Sequence, residues 1–578
     1  MHLEHQSNGV CKSPDPASQT GGEGDKNTVR SLRRKPKGQG ETPERFALPR
    51  LNGHDLFEVT ISELQRHYTE GHFTATDYVS HCLNYLLIVN PYIEAVIEMN
   101  PDAISIAEKL DQERSNGHIR GPMHGVPVLV KDTMATKDKM QTTAGSWALL
   151  GSIVPRDAFV VKRLRDAGAI ILGHSNMSEW SCLRSKSFSN GYSPRGGQCR
   201  NPYNLKRSPA GSSSGSAAAV SANIVPLALG AETDTSIIGP AGMNGVVGIK
   251  PTVGLTSRSG VIPISINLDS VGPLGRTVSD AVAGLDVMAA PDEEDSFTTV
   301  PERTQPKSYL SYISTMDVLK GARFGLPLKG CWNLVDPAGK KVAASVLDAM
   351  KRAGAEIVEV DFPSVEERVN EEAGWNWEHG EPSTSEWTVT KIDAYNDMNK
   401  YFATLEGGVV HSVEDLIQYN KDNSGTEGAG PGDVPAFMDG QTNLEEIAQS
   451  KGIKDETYYA ALKHIRSQTR ENGIDAALTY RDPETGETSQ LDALIFCDRA
   501  GIGQQYAAQA GYPVMCIPIG VDDDMMPVSL SVQHSAWREP DIIKWASAIE
   551  DLWNREKGWR TTPTFKNLHA KNIPVLKV

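Results

Sequence analysis

Apolar residues along this chain are spaced in two ways. From residue 55 to 115 they recur every three or four positions, and the punctuation between them is that of helices. Thr60 and Glu63 form a capping-box pair with Gly71 behind them. Thr74 with Asp77 opens a second helix that puts Tyr78, Cys82 and Leu86 on one face. A third helix is expected over 101–114. Residues 125–130 (GVPVLV) are then an unbroken apolar run, as in a strand covered on both faces, and Lys131 and Asp132 follow at its C-terminal end. Alternation begins there: helix 157–167, strand 169–172, a Gly/Ser/Asn/Pro-rich loop 190–215, helix 216–223, strand 227–229. It resumes late, with strands over 493–496, 514–517 and 528–532 and a helix over 540–553. The pattern predicts a mostly parallel sheet with helices on both faces, fed by both ends of the chain.

Between about 320 and 480 the sequence is helical and charged, with strands expected at 322–326 and 357–360. Residues 371–390 are polar but carry Trp375, Trp377 and Trp387, and 421–435 reads as a loop. Residues 1–54 are too poor in apolar side chains to repay their ordering entropy and predict a disordered polar tail. The basic run 33–37 within it reads as solvated rather than as a nuclear localisation patch. The expected architecture is thus the tail followed, over 55–578, by one large α/β/α domain with a mixed central sheet flanked by helices. Its core lies at about 121–290 and a more variable helical region at about 320–480.

Composition narrows the class. A formal net charge of −16 repels phosphate backbones and disfavours nucleic acid. The seven cysteines are scattered, odd in number and form no C-x-x-C pair, which argues against a disulfide framework or zinc ribbon and suits a reducing, cytoplasmic setting. The N-terminus has no apolar h-region, and no run of about 18 apolar residues predicts a membrane span. No H-E-x-x-H or similar spacing points to a metal, and no G-x-x-x-x-G-K-[ST] points to ATP, so neither metal nor cofactor is expected.

Three segments can carry chemistry: Lys131 at the end of its apolar strand, the loop 210–216 (AGSSSGS) before a small-residue helix, and 230–236 (GAETDTS) after a strand. Each has an ordinary alternative. A strand-end lysine is usually solvated, a Gly/Ser loop is usually a connector, and Ser212, Ser213 or Ser236 could each be a helix N-cap.

Taken together and in this order, the segments resemble the amidase signature family. The resemblance is carried by RSPAGSSSGSAAAVSANIVPLALGAETDTSIIGPAGMNGVVGIKPTVGLTSRSGVIPIS and DSVGPLGRTVSDA. Upstream it extends to GPMHGVPVLVKDTMAT, QTTAGS, PRDAFVVKRLRDAGAIILGHSNMSEW and RGGQCRNPY, and downstream to AGYPVMCIPIG and PVSLSVQ. It spans about residues 57–565, is strongest over 121–290, and leans toward the branch of peptide amidases and their plant and fungal relatives. The resemblance implies hydrolysis of a carboxamide C–N bond through an acyl-serine. It puts the family's lysine on Lys131, its first serine on Ser212 and its nucleophile on Ser236. In this family a peptide bond in the first-serine loop is often cis.

The chemistry of these groups agrees with those roles. A serine hydroxyl needs a base within reach. Ser212 can pass its proton to Lys131 while accepting one from Ser236, provided that Lys131 is uncharged and hence desolvated. The backbone amides of Thr233, Asp234, Thr235 and Ser236 are the candidate oxyanion donors, with Ser212 beside them at the substrate. The chain departs from the family at Ala231, Ile238 and Gly239, and at Thr235 where glycine is usual. If position 235 needs positive φ, a β-branched residue is costly there.

Gly211–Gly215 also fits G-x-S-x-G with Ser213 central, but the residues before it are poor strand sequence. His124 reads as a packed loop residue. The expected partner is a small amide substrate, with no nucleic acid and no membrane, in a monomer or homodimer. The alternatives are the amidase-type subunit of a tRNA-dependent amidotransferase and a catalytically silent scaffold of the same fold.

Overall fold

A computed structural model describes residues 43–369, 381–497, 502–558 and 560–572. Trp375, Trp377 and the basic run 33–37 lie outside the described residues. Residues 43–54, which the sequence assigns to the polar tail, are among those described. Phe46 is buried against Tyr92 and Phe565, and Tyr85 Oη donates to the Phe46 carbonyl at 2.9 Å. One aromatic residue anchors a segment whose composition is otherwise tail-like.

The N-terminal helices form where the caps predict: α1 (Ile61–Thr69), α2 (Ala75–Ile93) and α3 (Ala103–Ser115), with complete capping boxes at Thr60/Glu63 and Thr74/Asp77. An 11-stranded sheet then organises the molecule. Its strands are β1 (Val96–Met99), β2 (Pro127–Lys131), β3 (Ile170–Ser175), β4 (Leu227–Glu232), β5 (Val247–Lys250) and β6 (Ser270–Gly275). Later come β7 (Arg323–Pro327), β8 (Glu356–Val360), β9 (Ala493–Cys497), β10 (Val514–Val521) and β11 (Pro527–Gln533). The spatial order is β1-β3-β2-β4-β6-β5-β10-β11-β9-β7-β8.

The sheet is mixed, as expected, but it is not mostly parallel. Only β3–β2–β4 and β9–β7–β8 run parallel, and every other neighbouring pair is antiparallel. The reason is local. Helix α6 (Ile238–Asn244) and the connections on either side of β5 return the chain alongside its own strands, and β10 and β11 form a hairpin. The β10–β11–β9 block then joins the two ends of the chain.

Period-2 alternation divides the core into two layers. Leu129 of β2, Ile170 and Leu172 of β3 and Ala228 of β4 face one cluster, shared with α2, α3, α5 (Ser214–Ser221) and the C-terminal helix Glu539–Lys557. Val128, Val130, Ile171, Leu227 and Leu229 face the other. This second cluster is shared with α4 (Phe159–Asp166) and the helices Glu386–Phe402, Val413–Asp422 and Thr442–Ser450 of the variable region. Strand β2 is therefore buried along its whole length, which is why its apolar run is unbroken and why the lysine that ends it lies inside the protein.

Candidate active site

Lys131 is fully buried. Its Nζ lies 2.7 Å from Ser212 Oγ and 3.0 Å from the carbonyl of Ala231, the penultimate residue of β4. Burial lowers its pKa to about 8, against the opposing pull of Cys182, Asp269 and Glu232. The next residue, Asp132, is held by Thr143 Oγ1 (2.6 Å), the Gly145 amide (2.8 Å) and His174 Nδ1 (2.7 Å), and His174 Nε2 is fixed in turn by Thr136 Oγ1. The strand end that carries Lys131 is thus pinned from behind by a buried polar network.

Ser212 is also fully buried, in the loop before α5. Its carbonyl accepts from the Ser178 amide at 3.1 Å, and the Gly211–Ser212 peptide is cis, the form that the family resemblance leads one to look for. A Cβ at Gly211 would meet Ser178 Oγ and Asn190 Oδ1, so any larger residue there would have to displace both side chains. Ser213 occupies the N-cap position of α5 but makes no side-chain cap. Its buried hydroxyl bonds the backbone of Ala231 instead, at 3.2 Å. Ser213 is therefore not a side-chain cap, and no strand runs directly into its loop as a nucleophile elbow requires.

Ser236 lies in the turn between β4 and α6 and retains 8 % exposure where Ser212 has none. Its Oγ makes a long 3.4 Å contact to the Asp234 carbonyl, and no hydrogen bond joins it to Ser212 Oγ. The two loops meet through the backbone, with the Ser213 amide donating to the Ser236 carbonyl at 3.1 Å. Ser236 is not a cap either. The α6 N-terminus is closed by buried Glu232, whose Oε2 accepts from the Ile237 (2.5 Å) and Ile238 (2.9 Å) amides. Burial raises the Glu232 carboxyl above the usual range, against those two amides and the nearby Lys250 and Lys131.

Thr235 has φ +60°, so the β-branched departure from the family's glycine falls on a left-handed residue. Among the described residues the amides of Thr233, Asp234, Thr235 and Ser236 have no protein acceptor. The turn is braced by its side chains: Thr233 Oγ1 donates to Asp269 (2.6 Å), and Gln505 Nε2 donates to Asp234 (3.1 Å). Burial raises both Asp234 and Asp269 to about 6.

Glu232, Asp269, Ser178, Gln505 and the His174 relay were not singled out from sequence. Glu232 and Asp269 lie inside the resembling segments, but their partners become visible only in the fold. His124 is the packed loop residue expected, its Nε2 lying 2.9 Å from the Leu110 carbonyl. A small cavity of about 20 Å³ touches Ala231, Glu232 and Thr233. It shares Arg258, Val261, Pro263 and Asp269 with a larger one of about 350 Å³, and Ser236 lines neither. Among the described residues no helix is long and apolar enough to cross a membrane.

Residues 77–423 match the Amidase family. A Schizosaccharomyces pombe protein that carries the name amidase provisionally is 46 % identical over 92 % of this chain and 90 % of its own length. An Arabidopsis thaliana protein, likewise provisionally named, is 38 % identical over 85 % and 90 %. Among solved structures, native peptide amidase from Stenotrophomonas maltophilia superposes with a TM-score of 0.78 at 37 % identity, over 88 % of this chain and 99 % of that one. Glutamyl-tRNA(Gln) amidotransferase A subunits are more distant, as in the Clostridium acetobutylicum protein at 29 % identity. This chain belongs to the Amidase family and is an amidase.

Proposed function

We propose that the chain hydrolyses the C–N bond of a small carboxamide or peptide amide, with Ser236 as nucleophile, Ser212 as proton relay and Lys131 as base. The observation that carries this is the 2.7 Å contact between Lys131 Nζ and Ser212 Oγ inside a fully buried strand end, one residue from the backbone bond to Ser236. A neutral Lys131 accepts the Ser212 proton while still donating to Ala231. Ser212 accepts the proton of Ser236 as the latter attacks the carbonyl carbon. The weak 3.4 Å contact of Ser236 Oγ leaves its rotamer free to turn toward Ser212 when substrate arrives. The proton then returns along the same path to the leaving amine, the acyl-serine forms, and water releases the acid by the reverse sequence. The unpaired turn amides stabilise the oxyanion, and loss of one such donor typically costs about 100- to 1000-fold in rate.

Peptide amidase among the structural relatives makes primary amides and C-terminally amidated peptides the first substrates to test. A fluorophosphonate probe should label the wild-type protein and not Ser236→Ala, and the same substitution should abolish turnover across a panel of primary amides, anilides and peptide amides. An unlabelled, inactive wild type would favour the silent scaffold. Activity gained only with added partner subunits would favour the amidotransferase reading. A cytoplasmic monomer or homodimer is part of the same proposal, and none of the described cysteines is in a disulfide.

A further inference from the structure

Three histidines far from the Ser–Lys cluster are gathered by two local backbone motifs. Helix α1 ends in a Schellman turn: Gly71 has φ +70°, its amide bonds the Tyr68 carbonyl, and the His72 amide bonds the His67 carbonyl at 3.1 Å. That geometry places the side chains of residues 67 and 72 against each other, a contact that is ordinarily apolar. Here it holds two imidazoles nitrogen to nitrogen, with His67 Nδ1 2.9 Å from His72 Nδ1. The second motif is the tight turn Leu51–His54, closed by reciprocal backbone bonds, with Asn52 at φ +49° and Gly53 at φ +82°. Asn52 Nδ2 donates to the His72 carbonyl at 3.1 Å and so fastens this turn to the helix end. It brings His54 to stack on His72, centroids 4.1 Å apart, and to meet His67 edge-on at 5.0 Å.

We propose that His54, His67 and His72 form a site for a divalent transition metal of the zinc class. One ring nitrogen from each lies within 4.8 Å of the other two. Three imidazoles bound to zinc at about 2.0–2.1 Å in a tetrahedron have nitrogens about 3.4 Å apart. The two facing Nδ1 atoms would thus open slightly and His54 would close in. Only one of those facing atoms can donate to the other, so the pair shares a proton that a metal would replace. All three rings are half-buried rather than fully solvated. Glu70 Oε2, 3.4 Å from His72 Nδ1, is placed to supply a fourth ligand or to hold a bound water.

Such a site would not take part in amide cleavage. It would tie the Leu51–His54 turn to α1, whose Tyr68 Oη bonds the Gly125 carbonyl just before β2. The pattern is invisible as a spacing motif because residues 54, 67 and 72 converge only after the helix cap and the tight turn have formed.

The test uses the full-length protein purified without a histidine tag and stripped with a chelator. Co²⁺ alone should then bind with 1:1 stoichiometry and give the visible ligand-field bands of four-coordinate cobalt, which Zn²⁺ should quench. His67→Gln and His72→Gln should each weaken Co²⁺ binding by at least about tenfold, and Zn²⁺ should raise the melting temperature of the wild type but not of the variants. If either variant fails to fold, His54→Gln, on the outlying turn, carries the same test. His2→Ala/His5→Ala should bind as the wild type does. The proposal is overturned if binding is absent, is lost with His2 and His5, or is unchanged by replacements at 54, 67 and 72.

Discussion

Lys131 is a buried amine whose charged form the fold disfavours. The move from 10.5 to about 8 amounts to about 3 kcal/mol against the ammonium. A base lowered on folding weighs fully on stability below its folded pKa, and the penalty fades as pH rises from about 8 to 10.5. Replacing it with Met forgoes bonds to Ser212 and Ala231 worth about 1–3 kcal/mol together. Lys131→Met should therefore be inactive yet no less stable than wild type at pH 7, by up to about 2 kcal/mol. Any advantage should vanish in denaturant titrations above pH 10. Wild-type kcat/KM should rise with its midpoint near pH 8 and level off about one unit higher, while residual activity of Lys131→Ala should keep climbing, because only hydroxide is then left to act as base. A wild-type profile flat from pH 6 to 9 would remove Lys131 from the proton path. The neighbouring turn offers a second residue-level prediction. Thr235 at φ +60° carries a left-handed penalty of about 1–2 kcal/mol that glycine avoids, at about 0.5–1 kcal/mol of its own in lost chain entropy. Thr235→Gly should melt no lower than wild type and retain its turnover.

At the level of elements, the site depends on what closes the N-terminus of α6. The Glu232 carboxylate takes the Ile237 and Ile238 amides directly behind the nucleophile. Glu232→Ala would leave two amides unpaired in a buried place and loosen the turn, at a cost of about 2 kcal/mol. Turnover should fall more than KM rises, since the substrate walls remain while the oxyanion donors move. Glu232→Gln, which can still accept through its carbonyl oxygen, should retain more of both. Elements were also where sequence reasoning was strongest. The capping boxes at Thr60 and Thr74, the unbroken run of β2 and the small-residue helix after Ser213 are local signals, and each appears within a few residues of its expected bounds. Strand direction was not legible, because the antiparallel return of β6 between β4 and β5 is set by tertiary closure rather than by periodicity. Lys131, Ser212 and Ser236 were singled out through their motifs, and the roles given to them are those proposed above. The Asp132–His174–Thr136 brace was not, because its members matter only through distances that no local pattern encodes.

Across the whole molecule, the two ends of the chain are joined by more than the shared sheet. Glu58, 2 % exposed, receives Arg560 through Nε (2.5 Å) and Nη2 (2.7 Å), two positions 502 residues apart. Asn223 binds the same carboxylate at 2.6 Å and returns its own Oδ1 to the Glu58 amide, and Arg560 reaches on to the Gly245 carbonyl at 2.8 Å. The pair thus connects the segment before α1, the end of α5, the end of α6 and the chain after the C-terminal helix. Arg560 and Arg276 hold the Glu58 carboxyl below its ordinary value despite its burial. Its contribution to stability is therefore present above the unfolded carboxylate pKa and is lost as acid protonates it in the folded state. Breaking such a pair from one side leaves a buried charge alone, so Glu58→Ala should cost about 3–5 kcal/mol in urea unfolding at pH 7. Removing both charges avoids that penalty, and Glu58→Leu with Arg560→Met should recover most of the loss. If the double variant is as unstable as the single one, the loss lies in the further hydrogen bonds to Asn223 and the Gly245 carbonyl rather than in an unpaired charge. If it recovers, the loss in Glu58→Ala comes from the Arg560 charge left alone at a junction beside the two helices that Ser212 and Ser236 precede.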